Sequence, residues 1–258
     1  MRTIRISQKI PASLDALWGA CATPSGIAGW QADEVTGSVE AGETLGLGWP
    51  DLGVSIDLDV LELLENQVVV FGHGESRVRF EVREGEVELS HSAPFEDDEE
   101  LGTESSWRLA LGTLAHYLDR YAGQERETVW LVKPAPTSAE AAHAFFTLPD
   151  ALGAWLGRAS GVIGEVGSRY RIELSGGGSM SGVVLAHTEG RDIALRWDEA
   201  NYSVIVFRTL PSPTGPDERL LVVCWSRWAE LDNAERIAGE LDGALARLVQ
   251  RLSASGAA

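Results

Sequence analysis

Residues Thr103 to Tyr121 read TESSWRLALGTLAHYLDRY, and this stretch decides the fold. Its large apolar residues recur at steps of three and four, which is the spacing of one stripe along a helix. They are Trp107, Leu111, Leu114, Leu118 and Tyr121. Thr103 can cap the helix, and Ala122 and Gly123 interrupt the pattern after it. A helix with one apolar stripe needs a surface to cover, so we predict that it closes a first domain.

The sequence before this helix reads as strands and turns. A first strand stops at Pro11, and two short helices follow it, the second opened by Pro24 and ended by Trp30. Segments separated by Gly, Asn or Glu-Gly then have the spacing of an antiparallel meander, at 34–40, 43–49, 53–63, 67–73, 76–83 and 86–92. We interpret the acidic run from Glu96 to Glu100 as a solvated loop that leads into the helix.

The second half of the chain repeats this plan. Residues 23–30, TPSGIAGW, align with residues 148–155, LPDALGAW, at an offset of 125 that also pairs Pro11 with Pro136 and Gly42 with Gly167. Such self-similarity indicates a duplication. A second closing helix carries Leu241, Leu245 and Leu248, and Ile237 stands there in the place of Trp107. We therefore predict two domains, residues 1–124 and 125–258.

The start around Ile10, Ser13 and Trp18, the Pro-x5-Trp turns and the long closing helix resemble the START-like, or SRPBCC, superfamily. Within it the chain is similar to domains homologous to the activator of heat-shock protein 90 ATPase. The resemblance implies an α+β fold of two tandem helix-grip domains. In each, a curved antiparallel sheet of about seven strands wraps around a long C-terminal helix, with two short helices after the first strand.

The resemblance further implies a cavity for an apolar small molecule between sheet and closing helix. The aromatic and aliphatic residues on core-facing phases are therefore candidates for lining it, together with one histidine. They are Trp18, Trp30, Trp49, Phe71, His73, Phe80, Trp107 and Leu111 in the first domain, and Phe145, Trp155, Tyr170, Trp197, Trp225, Leu241 and Leu245 in the second. Since Ile237 replaces a Trp, the second domain should have either more open space or a different packing under its helix, and we expect a ligand in the second cavity rather than the first.

Two alternatives to ligand binding come from the same resemblance. Relatives include polyketide cyclases and hydrolases, and an enzyme would need ionisable groups in the cavity, for which His73, Arg171 and Glu173 are the candidates. A chaperone-linked interaction protein is the other alternative, although the chain has no room for the unrelated N-terminal domain of the true co-chaperone. We predict no catalytic residue and no cofactor.

Composition limits the partners and the location. The 258 residues carry a net charge of -18, which disfavours nucleic acid and anionic lipid as partners. No signal peptide and no run long enough to span a membrane is visible, so we expect a cytoplasmic protein. Cys21 and Cys224 lie far apart in apolar contexts and are expected to be free thiols. The five histidines form no metal-binding spacing, so no metal site is predicted, and His116 is interpreted as a surface residue.

Two strands of the second domain are apolar on both faces. They contain Val204 to Phe207 and Leu220 to Trp225. One face can pack beneath the closing helix, and the other needs a cover of its own. We predict that this outer face is buried by interdomain packing or in a homodimer.

Overall fold

The computed structural model describes residues 1–255, with the side chains of residues 216 and 255 left aside. The chain divides into two compact units, residues 1–127 and residues from 128 onward. The first unit contains seven strands and three helices. They are β1 (Arg2–Lys9), α1 (Leu14–Ala22), α2 (Pro24–Ala28), β2 (Glu34–Gly37), β3 (Thr44–Trp49), β4 (Val54–Leu64), β5 (Val68–His73), β6 (Ser76–Arg83), β7 (Glu86–Ala93) and α3 (Asp97–Arg120).

The second unit repeats the same order of elements. They are β8 (Glu127–Ala135), α4 (Ala139–Thr147), α5 (Pro149–Gly153), β9 (Gly157–Ala159), β10 (Arg169–Leu174), β11 (Ser179–Thr188), β12 (Asp192–Trp197), β13 (Ser203–Ser212), β14 (Gly215–Arg227) and α6 (Ala234–Ser255). Each unit has one seven-stranded antiparallel sheet, in the orders β1-β7-β6-β5-β4-β3-β2 and β8-β14-β13-β12-β11-β10-β9. The predicted fold of two tandem helix-grip domains is confirmed.

Equivalent turns show the repeat in backbone detail. Gly42 and Gly167 have φ angles of 89° and 84°, in the left-handed region that favours glycine. The Gly42 N–H donates to the Val60 carbonyl at 2.8 Å, and the Gly167 N–H donates to the Val184 carbonyl at 2.9 Å. Equivalent glycines therefore make the same turn against equivalent strands, β4 and β11, in the two domains.

Helix α3 begins earlier than the sequence indicated. Glu96 is its N-cap, and a capping box joins Glu96 to Glu99, so the acidic run is the first turn of the helix and the prediction of a loop was wrong. Four acidic residues, Asp97 to Glu100, stand in that turn, where the helix dipole favours negative charge. Arg2 on β1 pairs with Asp97 and Glu100 at 2.5 and 3.0 Å.

The predicted stripe of α3 faces the sheet. Leu111 and Leu114 have no exposed surface, and Tyr121 just after the helix is also buried. His116, which the sequence placed on the surface, is buried as well and contacts the Tyr121 ring edge-on at 5.7 Å. The prediction was wrong because the buried sector of α3 is wider than its stripe of large apolar residues.

The core of the second domain lies between the inner face of its sheet and α6. Ile205, Phe207 and Trp225 belong to it, each with no exposed surface. Val204 and Val222, which point to the opposite face of the same strands, are 1% and 2% exposed. Both faces of β13 and β14 are thus buried, and the nature of the cover on the outer face stays a prediction.

Candidate functional site

A cavity of about 200 Å³ lies between the sheet and α3 in the first domain. Residues from α1, α2, α3 and strands β3 to β7 line it, together with the segment after α2. They are Cys21, Ile27, Trp30, Gln31, Leu45, Leu47, Trp49, Ile56, Leu58, Phe71, His73, Ser76, Val78, Phe80, His91 and Trp107. The lining is aromatic and aliphatic except at Cys21, Gln31, Ser76 and the two histidines, and none of the lining residues is Lys or Arg.

Aromatic rings form the inner wall. Phe80 contacts the rings of Trp30, Phe71 and Trp107 edge-to-face, at centroid distances of 6.1, 6.3 and 5.8 Å. The Trp30 indole N–H donates to the Ala20 carbonyl at 2.9 Å, which fixes the ring over the end of α1. Such edge-to-face contacts hold the rings in defined orientations, so the wall of the cavity is rigid.

A line of hydrogen bonds crosses one side of the cavity. The Trp107 indole N–H donates to Nδ1 of His91 at 2.9 Å, and Nε2 of His91 lies 2.7 Å from Oγ of Ser76. An indole N–H can only donate, so Nδ1 must be the acceptor and the proton of the neutral imidazole is on Nε2. His91 therefore donates to Ser76, and the Ser76 hydroxyl keeps its own hydrogen for another acceptor.

This arrangement keeps His91 neutral. Protonation at Nδ1 would break the bond from Trp107, and burial lowers the pKa of His91. In a serine-histidine catalytic pair the histidine accepts the serine proton at Nε2, because a carboxylate holds the proton on Nδ1. His91 has the opposite tautomer. Ser76 is thus a hydrogen-bond donor and is not activated as a nucleophile.

The entrance of the cavity includes the hairpin between β5 and β6. His73 and Ser76 are paired across its two-residue turn, so their side chains are neighbours on one face. Nδ1 of His73 donates to the Asp57 carbonyl at 2.9 Å, which fixes the ring beside β4. His73 is exposed, and Trp49, Ile56 and Leu58 are half-buried. These residues form the exposed end of the cavity.

Cys21 lies at the helical end of the cavity and is fully buried. Burial raises the pKa of the Cys21 thiol to about 12. Cys224 is also buried, and like Cys21 it is a thiol outside any disulfide, as expected from the sequence.

Six of the eight predicted residues of the first domain line the cavity: Trp30, Trp49, Phe71, His73, Phe80 and Trp107. Trp18 is half-buried outside the cavity, and Leu111, a residue of α3, is fully buried without lining it. Ser76 and His91 were missed. His91 is two residues after the buried Leu89 on β7 and so shares its face, which means that strand phase could have placed it on the inner face.

The second domain has a cavity of about 260 Å³ next to α6. Among the predicted residues, Trp197 and Leu241 line it. Trp155, Trp225 and Leu245 are fully buried in the core, Tyr170 is buried there, and Phe145 packs against the core. The remaining lining comes from Leu156, Leu174, Ser175, Gly176, Ile237, Gly239, Glu240, Gly243, Ala244 and Arg247.

In the second domain, two tryptophans stand where the first domain has His73 and His91. Strand register makes Trp197 and Ser203 the equivalents of His73 and Ser76, since each pair faces across the equivalent hairpin. By the same register Trp225 is the equivalent of His91. The Trp225 indole N–H donates to the Ser203 hydroxyl at 2.8 Å, and the two indoles pack 6.2 Å apart. The side chains of Trp197 and Trp225 therefore occupy the space that is open in the first domain.

The predicted ionisable candidates of the second domain lie outside its cavity. Arg171 and Glu173 form an ion pair of 2.7 Å, and both side chains are more than half exposed. The structure instead joins His143 on α4 with His187 on β11, whose Nε2 atoms are 2.9 Å apart. Burial and the neighbouring His187 lower the pKa of His143 to about 4. Within residues 1–255, no group of three or more His, Cys, Asp or Glu residues is placed to hold a metal ion.

A larger groove of about 650 Å³ runs along α1, α2 and the end of α3. Small residues and backbone form most of its surface, among them Gly19, Gly26 and Gly29. Arg126 donates to the Trp30 carbonyl at 2.6 Å and pairs with Asp33 at 3.1 Å, so its guanidinium is already bound to groups of the protein. The groove lacks the enclosing aromatic wall of the first cavity.

Structures similar to this chain were found among solved proteins. DynU16, from the dynemicin biosynthetic locus, is 19% identical, with 97% of this chain and 98% of that chain covered and a TM-score of 0.43. The Aha1 dimer from Colwellia psychrerythraea is 22% identical over 46% of this chain and 98% of that chain, with a TM-score of 0.43. CalU16 from Micromonospora echinospora is 25% identical over 47% of this chain and 76% of that chain, with a TM-score of 0.40.

No protein-family model and no curated protein matches the chain. Among the described residues, no helix is both long enough and apolar enough to cross a membrane. Two seven-stranded antiparallel sheets, each with one long closing helix, give the chain the tandem helix-grip fold that its resemblance to the START-like superfamily implied.

Proposed function

We propose that the first domain binds an apolar aromatic small molecule in the cavity beneath α3. The observation that carries this proposal is the cavity of about 200 Å³ with its lining of tryptophan, phenylalanine and aliphatic side chains. Binding sites for small molecules are concave, mostly apolar and supplied with few polar groups, and this cavity has each of these properties.

The volume limits the size of the ligand. An apolar cavity of about 150 Å³ holds benzene. A cavity of about 200 Å³ accommodates about two fused rings, and the exposed end beside His73 lets substituents reach solvent. Each 100 Å² of apolar ligand surface removed from water contributes about 2.5 kcal/mol to binding. The rigid wall adds affinity, since little side-chain freedom is lost on binding.

Naphthalene is a suitable probe because it is bicyclic and carries no polar group. Its binding is measured as saturable quenching of tryptophan emission, since Trp30, Trp49 and Trp107 line the cavity. In the Val78→Phe variant, a larger ring fills the space from β6, and naphthalene binding is lost while the circular dichroism of the native fold remains. Val70→Phe is the matched control, because Val70 is on the other face of the sheet. Unchanged emission of the native protein at saturating naphthalene would refute the proposal.

A further inference from the structure

We propose that the first-domain cavity selects neutral aromatic ketones, whose carbonyl oxygen accepts a hydrogen bond from the Ser76 hydroxyl. This inference rests on the proposed function, because it names the class of molecule that the same cavity takes. It follows from the direction of the hydrogen bonds around His91 and from the uncharged lining.

The Trp107 indole fixes the direction of the two hydrogen bonds that His91 makes. Trp107 can only donate, so His91 accepts at Nδ1 and donates from Nε2 to Ser76. Oγ of Ser76 is then already an acceptor, and its hydrogen is directed elsewhere. A hydroxyl whose oxygen accepts a hydrogen bond is polarised and becomes a better donor. Ser76 lines the cavity, so a ligand oxygen is the complementary group.

The lining decides that the acceptor is neutral. A buried carboxylate needs a cation or several donors to offset its desolvation. The residues that line this cavity include no Lys or Arg, and burial disfavours the charged form of His91. A ketone or another uncharged carbonyl needs one donor only. The aromatic wall supplies the remaining contact area for its ring.

The second domain provides a comparison within the same chain. Its equivalent serine, Ser203, accepts from the Trp225 indole at 2.8 Å and is completely buried. Trp197 and Trp225 fill the space in front of it. The donor therefore faces an open cavity in the first domain alone, among the described residues, and only there does it have a ligand to recognise.

Three probes of similar size are naphthalene, 2-acetylnaphthalene and 2-naphthoate. They separate the contributions of the rings, the neutral carbonyl and the negative charge to binding. Their dissociation constants are measured for the native protein and for the Ser76→Ala, Ser76→Thr and Ser90→Ala variants. Ser76→Thr keeps the hydroxyl, and Ser90 is next to His91 in sequence but on the other face of β7. Loss of one neutral hydrogen bond weakens 2-acetylnaphthalene about fivefold in Ser76→Ala. Naphthalene makes no hydrogen bond, so Ser76→Ala weakens it less than the ketone and lowers the ratio of the two affinities, whereas Ser90→Ala keeps that ratio. 2-Naphthoate binds the native protein more weakly than the ketone.

The infrared carbonyl stretch of bound 2-acetylnaphthalene gives an independent signature. A hydrogen bond lowers its frequency relative to that in a hydrocarbon solvent, so the native protein, Ser76→Thr and Ser90→Ala show the lowered band and Ser76→Ala does not. If naphthalene and the ketone both bind but Ser76→Ala changes neither the ratio of affinities nor the band, the inference is overturned and the proposed function stands. If naphthalene does not bind the native protein, the proposed function itself fails.

Discussion

Trp30 and Trp155 occupy equivalent positions in the two domains, and each donates its indole N–H to a backbone carbonyl ten residues earlier in the chain. The acceptors are Ala20 at 2.9 Å and Phe145 at 2.8 Å. Both rings are almost completely buried. The Pro-x5-Trp turn is therefore held to the end of the preceding helix by the same hydrogen bond in each copy, which explains why tryptophan occurs at this point of both domains.

Replacing either tryptophan by phenylalanine tests this role. Trp30→Phe or Trp155→Phe leaves a buried carbonyl without its donor, so we expect a loss of about 1–3 kcal/mol in the free energy of unfolding. Denaturant titration followed by circular dichroism measures the loss. Trp18→Phe is the control, since Trp18 is half-buried, and it should cost less. Equal losses in the three variants would show that ring size, and not the hydrogen bond, matters.

The tautomer of His91 can be observed directly. Because Trp107 donates to Nδ1, we expect nitrogen-15 NMR of the native protein at neutral pH to show the proton on Nε2. In Trp107→Phe this restraint is gone, and the population with a proton on Nδ1 should rise. Detection of the Nδ1–H tautomer in the native protein would contradict the assignment and, with it, the donor role of Ser76.

The contact between His143 and His187 predicts a pH-dependent stability. The ordinary histidine pKa is about 6.5, and burial and the charge of His187 lower that of His143 to about 4, while the charge of Glu189 opposes this. The unfolded chain therefore binds more protons than the native one between these values. Stability falls as the pH falls from about 6.5 to about 4, by an amount on the order of 3 kcal/mol, and is constant from this source above that range.

Urea unfolding across this pH range checks the prediction. In His143→Phe the contribution of this histidine to the slope disappears. An identical pH slope in the native protein and in His143→Phe would exclude His143 as its source.

Alanine at the two turn glycines and at a glycine within α1 should have opposite effects on stability. Gly42→Ala and Gly167→Ala meet no neighbouring atom within 4 Å, so only their φ angles of 89° and 84° oppose the change. We expect each to lose about 1–2 kcal/mol of stability. Gly19→Ala in α1 also meets no atom within 4 Å, and there the change should stabilise by about 0.5–1 kcal/mol. Thermal unfolding of the three variants shows whether backbone strain at positive φ, with room for the Cβ atom in every case, sets the cost at the turns.

The sequence predicted the architecture well because the signals are local. The Pro-x5-Trp turns, the glycine at position 42 and its copy at 167, and the stripe on α3 each depend on near neighbours in the chain. The start of α3 was misplaced because acidic residues occur both in loops and in first turns of helices. Only the contact between Glu96 and Glu99 distinguishes the two.

The site was predicted less completely because it depends on pairing across strands. Ile237 in place of Trp107 suggested more space in the second domain, and Ile237 lines a cavity of about 260 Å³ there. Trp197 and Trp225 fill the equivalent of the first-domain cavity, and we place the ligand site in the first domain because its cavity has the aromatic lining. His91 and Ser76 are fifteen residues apart, and only the register of β6 and β7 brings them together. No spacing rule in the sequence could have indicated their contact with Trp107.

The thiol of Cys21 sets one further property of the cavity. With its pKa raised to about 12 by burial, it is almost entirely un-ionised at neutral pH, and the thiolate is the form that attacks electrophiles. An enone or other Michael acceptor that enters the cavity therefore meets an inert sulfur atom. Covalent attachment of a ligand through this residue is therefore disfavoured.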